Sequence, residues 1–522
     1  MRTALRAVFG AMLGLALTAS AAVDARADDR PDLVVAVNAI PDTLEPADGI
    51  GNIHVRIIYS MFDSLIRRDF LADGKGGGSK LQPGLAESWK RIDDKTIEFA
   101  LRKGVKFHNG DELTADDVVF TFTHGRMLGD RPIVPTGRQE MNTISHAERV
   151  DRYTVRIVSR VPDVMMEQRM AGYASWIVNA RDYLTRGYDQ FRRSPVGTGP
   201  YKIAEFVDGE YIRLVAHDDY FGGKPTAKSI TFKVVPETSA RVAGLVSGEF
   251  DIIVNVPPDQ VEVLRGYKDI AVEQVVLDNS HMLVFFMDAP FMQDKKVRQA
   301  LSLAINRDLL RQALWEDKNY TPNGHQLPSY EIYLPDYPGF AYDPARAKKL
   351  VAESSYKGEP IVYRLPLNYY VNSLEAAQAM QQMWKDVGLN VKLEPVENWT
   401  QVLAPGVHIR PWSNTHRIPD PTGSFVAQWG RISDIQLNKK NPQRVWKAPE
   451  AFNAAHDTLI SNSDVAVRKD AYRQSLDIWM DEVPGTMLYN PLETYALKKS
   501  LQWKAYSLYY MDFRPYNLAF SK

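Results

Sequence analysis

Apolar and polar residues change period several times along this chain, and each change marks an element. Leu33 to Val37 is a short, nearly unbroken apolar run of strand length. From Ile53 to Leu65 the spacing becomes helical, placing Val55, Ile58, Met61, Phe62 and Leu65 on one face. Alternation at Thr96 to Leu101 and at Thr154 to Val158 predicts half-buried strands. Between them Asn109-Gly110 signals a turn, and Thr114 stands three residues before Asp117, where it caps a helix. Ile230 to Ile252 reads as strand, helix and strand, and Val297, Ala300, Leu301, Ala304 and Ile305 follow at helical spacing. Asp343-Pro344 pairs an aspartate cap with proline in the first turn of another helix. Ala377, Met380, Trp384 and Val387 form an amphipathic face closed by Gly388, after which Leu389, Val391 and Leu393 alternate as a strand. Strands and helices that take turns in this way predict an α/β protein. Turn formers interrupt the order at Lys75 to Lys80 (KGGGSK) and Ser194 to Lys202 (SPVGTGPYK). The first lacks the glycine-lysine-serine order of a phosphate loop and reads as a flexible surface loop.

At 522 residues the chain exceeds what one hydrophobic core usually organises, so two or more domains are expected. Its 63 basic and 64 acidic residues nearly cancel, leaving no field that would draw nucleic acid or an anionic membrane. Arg2 and Arg6 precede an apolar stretch from Ala7 to Leu17, and Ala25-Arg26-Ala27 offers small residues where a signal peptidase reads. Residues 1–27 therefore read as a signal peptide, too short in its apolar part for the roughly 20 residues of a spanning helix. Without cysteine there is no thiol to lipidate and no disulfide framework, so the expected location is the periplasm, free of a lipid anchor. The lack of cysteine also removes thiol catalysis, and Gly244 to Gly248 has the wrong spacing for a serine elbow. The ten histidines contain no H-E-x-x-H and no pair four apart, while Asp116-Asp117 and Asp218-Asp219 are chain neighbours that point apart. No enzyme, cofactor or metal site is expected. The 25 tyrosines and 10 tryptophans supply rings of the kind that line ligand pockets.

The run from Leu85 to Phe120 contains LAESW, DD-T, F-LR-GVKFH-G and TA-DVVF in that order, followed by PVGTGPY within 194 to 202 and HDDYFGGKP from His217 to Pro225. This wording resembles the extracellular solute-binding proteins of peptide, nickel and opine ABC importers, with His217 and Phe221 departing from that family's asparagine and tryptophan. The resemblance implies a two-lobed periplasmic binding protein of hinged α/β lobes with a cleft, and a third domain inserted in the first lobe. Carried over, lobe I takes 28–76, 197–280 and 495–522, the inserted domain 77–196, and lobe II 281–494. It also implies a monomer that closes on a peptide or other small molecule and hands it to membrane permease and ATPase subunits. A periplasmic hydrolase, a sensor partner or chaperone, and a receptor for a metal chelate or sugar phosphate are the alternatives.

The cargo question turns on Arg410 to Phe425, RPWSNTHRIPDPTGSF. Peptide-binding members carry a stretch like GW-x-x-DYPDP-x-x-F, whose first aspartate pairs with the ammonium of the peptide. Pro419-Asp420-Pro421 matches the PDP, which puts Arg417 at the place of that aspartate, and Trp412 matches the tryptophan if two residues are inserted. A charge-assisted hydrogen bond is worth about 1.5–3 kcal/mol, whereas a buried like-charge contact costs several. Arginine at this place therefore disfavours a free ammonium. With Arg410, His416 and His408 nearby, it suits an anion: an opine-like conjugate, a sugar phosphate, a modified peptide or a metal chelate. The alternative is a solvated loop with Arg417 turned outward. Candidate ligand-binding residues are Arg417, Trp412, Asp420, His416 and Arg410, joined by resemblance by Tyr173 and Trp176 of the inserted domain and by Tyr369 and Tyr370 before the helix from Ser373. His408 and His416 lie eight apart and make no ligand set, so direct metal coordination is not expected.

Overall fold

The computed structural model describes residues 28–49, 51–367, 369–431, 433–437 and 444–521. The expected signal peptide lies outside them. No helix among the described residues is long and apolar enough to cross a membrane.

Three sheets carry the architecture. The first orders its seven strands as Ile270–Val276, Leu492–Lys498, Ile252–Ile253, Asp32–Val37, Ser229–Val234, Tyr211–Ala216 and Tyr201–Val207. Asp32–Val37 pairs in parallel with both neighbours and is covered on both faces, which explains its nearly unbroken apolar run. Leu33, Val35 and Val37 join one core with Val55, Ile58, Met61 and Phe62, while Ala36 points the other way to Leu245 and Ile253. The second sheet runs Val391–Val396, Ile361–Pro366, Ile409–Thr415, Asn279–Phe285 and Gly485–Tyr489. Its strand Asn279–Phe285 sends Leu283 and Phe285 to the helix residues Leu301 and Trp384, and Met282 and Val284 to Trp429 and Trp479. The third sheet is antiparallel, in the order Ala86–Arg91, Thr96–Leu101, Thr154–Ser159 and Ile144–Arg149, and Ile97, Phe99, Val155 and Ile157 share a core with Val118.

The chain passes from the first sheet to the second at Leu277-Asp278 and returns at Asn490-Pro491, a few residues before the boundaries carried over from the family. The two crossings are side by side, since the Leu277 amide donates to the Pro491 carbonyl at 3.0 Å. Asp278 is pinned there by Arg68 at 2.7 Å and by the Ser507 hydroxyl at 2.8 Å. This double crossing has the form of a hinge, with few backbone torsions to turn.

Local signals predicted many elements well. Asp343 accepts from the Arg346 amide at 2.8 Å at the start of helix Pro344–Glu353, and Gly388 takes φ +92° after helix Ser373–Asp386. Asp117 accepts from the Thr114 amide at 2.9 Å and, with its other oxygen, from the Ala180 amide at 3.0 Å. Two readings need correction. The helix expected over Ile53 to Leu65 spans only Asn52–Ile58. The carbonyls of Ser60, Met61 and Asp63 are taken instead by the amides of Tyr201, Gly199 and Ile177, so pairing with distant segments ends the helix early.

The second correction concerns Lys75 to Lys80, which is packed rather than flexible. Arg68 donates to the carbonyls of Gly78 at 2.6 Å and Gly77 at 2.9 Å, and the Ser507 amide donates to Gly76 at 2.7 Å. Gly76 has φ +85°, and a Cβ there would lie 2.0 Å from the Ala505 carbonyl oxygen. Gly76→Ala should therefore cost about 2–3 kcal/mol from strain and overlap. Urea unfolding of the two proteins measures this, and equal midpoints would contradict the packing.

Candidate functional site

The strand Ile409–Thr415 sits centrally in the second sheet, between Ile361–Pro366 and Asn279–Phe285. Arg410, Trp412, Ser413, Thr415 and, just beyond the strand, Arg417 line a cavity of 360 Å³ there. The segment after strand Ile361–Pro366 adds Tyr369 and Tyr370, the short helix Trp399–Val402 adds Trp399, and the start of helix Asn52–Ile58 adds Gly51 and Asn52 from the other lobe. The volume falls in the range of small-molecule sites.

Its aromatic wall is locked by edge contacts. Tyr369 meets Tyr370 at 4.7 Å and Trp399 at 5.4 Å between centroids, both nearly perpendicular. Burial raises both phenols above their ordinary titration range, so they stay neutral. The Tyr370 oxygen accepts from the Ser413 amide at 3.2 Å. Asn52 donates to the Ser413 hydroxyl at 3.2 Å across the lobes, and Asn279 fixes the hydroxyls of Ser413 at 2.7 Å and Thr415 at 2.9 Å. The Arg410 guanidinium lies 4.6 Å from the Trp412 ring centroid.

Arg417 faces inward. Its guanidinium lies 5.0 Å from the Tyr173 ring centroid and forms an ion pair with Glu140, at the end of the short helix Pro135–Glu140. The two side chains are only 13% and 6% exposed. Burial lowers the guanidinium to about 10, opposed by the Tyr510 phenol, so it remains a cation at neutral pH. Glu140 is held in place through its carbonyl, which accepts from Arg169 at 2.8 Å; Arg169 is paired with Asp163 at 3.0 Å. Two more contacts tie this region to the second sheet's side: Gln139 donates to the Ala427 carbonyl at 3.1 Å and the Val164 amide to Ile460 at 3.3 Å.

Arg410, Trp412, Arg417, Tyr369 and Tyr370 thus share one cavity. The other candidates are elsewhere. His416 points away from the cavity, with its ring between the hydroxyls of Ser280 at 3.0 Å, Ser424 at 3.1 Å and Tyr330. Burial pushes it down to about 3, so it carries no charge to offer an anion. Asp420 caps a single turn, accepting from the Thr422 amide at 2.9 Å, and pairs with buried Arg468 at 2.7 Å. Its charge is already met inside the lobe. Tyr173 and Trp176 pack around Tyr510 at 5.5 and 6.0 Å in the first lobe's core, where Tyr173 serves only as a platform beneath Arg417.

Asn52, Trp399, Ser413, Thr415 and Glu140 were not anticipated. Ser413 and Thr415 share the alternating face of Arg417 and were within reach of a period-two reading; Glu140 carries no local signal. A second cavity of 280 Å³, sharing Tyr369 and Tyr370 as a wall, is lined by Arg241, Asn255 and Asn372. Arg241 is occupied there by the carbonyls of Val235 and Pro236, both at 2.8 Å. Between the cavities, buried Arg56 and Glu493 pair at 3.4 Å, and Asn255 binds both. Ser280 and His416 form a contact of the nucleophile-base type, but it is sealed in the lobe, and Tyr330 and Ser424, not a carboxylate, occupy the other ring nitrogen. Among the described residues no group of three or more histidine or acidic side chains is placed to hold a metal ion.

A family model described as bacterial extracellular solute-binding proteins, family 5 Middle, matches residues 80–431. The dipeptide-binding protein of Escherichia coli (strain K12) is 28% identical over 449 residues, covering 80% of this chain and 82% of its own. Among solved structures, a periplasmic binding protein of Helicobacter pylori in complex with the peptide STSA superposes with TM-score 0.83 at 22% identity, covering 94% of this chain and 99% of its own. The binding protein AgaA of A. tumefaciens R10 in complex with agropinic acid superposes with TM-score 0.81 at 23% identity, covering 94% and 99%.

Proposed function

The chain belongs to the family 5 bacterial extracellular solute-binding proteins, and from that membership we propose that it is the periplasmic receptor of an ABC importer for a peptide-like, anionic solute. It closes on an opine-like or N-blocked conjugate in the 360 Å³ cavity and presents it to the permease and ATPase, performing no chemistry on it. The observation that carries this reading is Arg417 in the cavity wall, which the resemblance counted back from Pro419-Asp420-Pro421 sets against the aspartate of peptide-binding members. Arg410 shares that wall, and no carboxylate is among the described residues lining it. An ammonium brought there would lose water and meet cations, whereas a carboxylate gains charge-assisted hydrogen bonds. The aromatic rings offer flat apolar surface to the body of such a ligand. The complex of AgaA, which shares this fold, with agropinic acid is in keeping with an acidic ligand.

Thermal unfolding with dialanine and with N-succinyl-dialanine tests the charge class. The expected result is a stabilising shift for the succinyl compound that saturates with concentration and little shift for dialanine. The reverse order would sink the anionic reading, and consumption of either compound would sink the receptor reading. Mass spectrometry of small molecules retained by protein taken from its own periplasm then identifies the solute.

A further inference from the structure

Glu140 and Arg417 come from bodies that the hinge lets move apart. Glu140 ends a helix beside the third sheet, while Arg417 follows a strand of the second. Each is positioned independently of the other: Arg169 holds the Glu140 carbonyl at 2.8 Å, and the His416 amide, next to Arg417, donates to the Asp278 carbonyl at 2.9 Å. The two charges are therefore brought together only when the lobes close, and in the closed form they are largely withdrawn from water. A carboxylate buried to this degree is stable only with its partner. Yet Arg417 is also part of the cavity wall, so the group that satisfies it from inside the protein has the chemistry of the group an anionic ligand would bring.

We propose that Glu140 is a built-in carboxylate for Arg417, one that latches the ligand-free protein shut and must yield when a ligand carboxylate takes the guanidinium. The latch needs only the two residues; the competition rests on the reading of Arg417 as a ligand contact. Closure in the absence of cargo is then an equilibrium that an internal ion pair favours, beside the contacts of Gln139 with Ala427 and Val164 with Ile460, and affinity for an acid is held below what Arg417 would otherwise deliver. Removing Glu140 acts on both sides of that balance. It weakens the empty closed form and spares the bound form a stranded carboxylate, so binding tightens.

The chain has no cysteine, so Leu184→Cys on helix Ala180–Arg186 and Val467→Cys on helix Val465–Glu482, both exposed, accept a fluorophore pair without background. In the ligand-free protein, Glu140→Gln should lower the ratio of closed to open molecules about ten-fold or more. The charge swap of Glu140→Arg with Arg417→Glu should restore it. An unchanged distribution in Glu140→Gln, or a swap that stays open, overturns the latch. Titration with N-succinyl-dialanine reads the competition: Glu140→Gln should bind it about ten-fold more tightly than the parent, and equal or weaker binding overturns that half. Binding to neither protein counts against the anionic reading of the cavity, and the fluorescence then decides the latch by itself.

Discussion

Arg417→Asp is expected to hold the lobes apart and to reduce affinity for N-succinyl-dialanine at least about 100-fold, the cost of removing one partner of a buried charge pair and adding a repulsion. The new carboxylate would face Glu140 where both side chains are nearly excluded from water, so one must take up a proton or the closed form must be given up. The same substitution puts an acid two residues before Pro419-Asp420-Pro421, but Glu140 still opposes closure around it. Adding Glu140→Gln removes that opposition. The double variant should therefore bind dialanine, with its free ammonium, better than either the parent or the single variant. Calorimetric titration of the three proteins with the two compounds separates these effects. If Arg417→Asp binds the succinyl compound as the parent does, Arg417 is not a ligand contact.

Arg514→Met should remove about 3–5 kcal/mol of stability at neutral pH without touching the cavity. Arg514 is 1% exposed and lies between Asp63 at 2.8 Å and Asp512 at 2.9 Å. It also donates to the carbonyls of Phe62 at 2.9 Å and Tyr59 at 3.1 Å and to the Tyr220 hydroxyl at 3.0 Å. It thereby fastens the segment that precedes the last strand, Leu518–Phe520, to the turn after helix Asn52–Ile58. Methionine fills similar space but leaves two buried carboxylates without their cation. The pH dependence has a definite sign. Burial would raise the Asp512 carboxyl, but the Arg514 charge together with hydrogen bonds from the Tyr516 hydroxyl and the Arg514 amide outweighs it and holds the group below the usual carboxylate range. That contribution is fully present above the unfolded value, about 3.9, and is lost as pH falls through the lower folded value. In the variant the carboxylates instead gain by taking protons, so its deficit should narrow between pH 7 and pH 3.5. Denaturant midpoints at the two pH values check both statements, and a deficit under about 1 kcal/mol at pH 7 would mean that the carboxylates are not stranded.

Local chemistry made much of the fold legible. The caps at Asp343 and Asp117, the turn at Gly388 and the strands at Thr96 and Thr154 depend on neighbours a few residues away, and all are found. The two failures have one cause. Helix Asn52–Ile58 stops because distant amides claim the carbonyls beyond it, and Lys75 to Lys80 is ordered because Arg68 and the chain around Ser507 close on it. Within the candidate site the residues named from the sequence divide by the direction in which their side chains point. Arg417 and His416 are adjacent, and the backbone sends one to the cavity and the other into a hydroxyl cage. Asp420 was read as a ligand contact because it belongs to a matching motif, but Arg468, far along the chain, consumes its charge.

The sequence by itself determined the class of protein: an α/β chain in the wording of the solute-binding family, with an arginine at 417 just before Pro419-Asp420-Pro421. Those are properties of short stretches, and short stretches preserve them. Only the tertiary structure decided that this arginine is answered from within by Glu140. The charge a pocket presents depends on every group that approaches when the lobes close, and residues 140 and 417 become neighbours only through the fold.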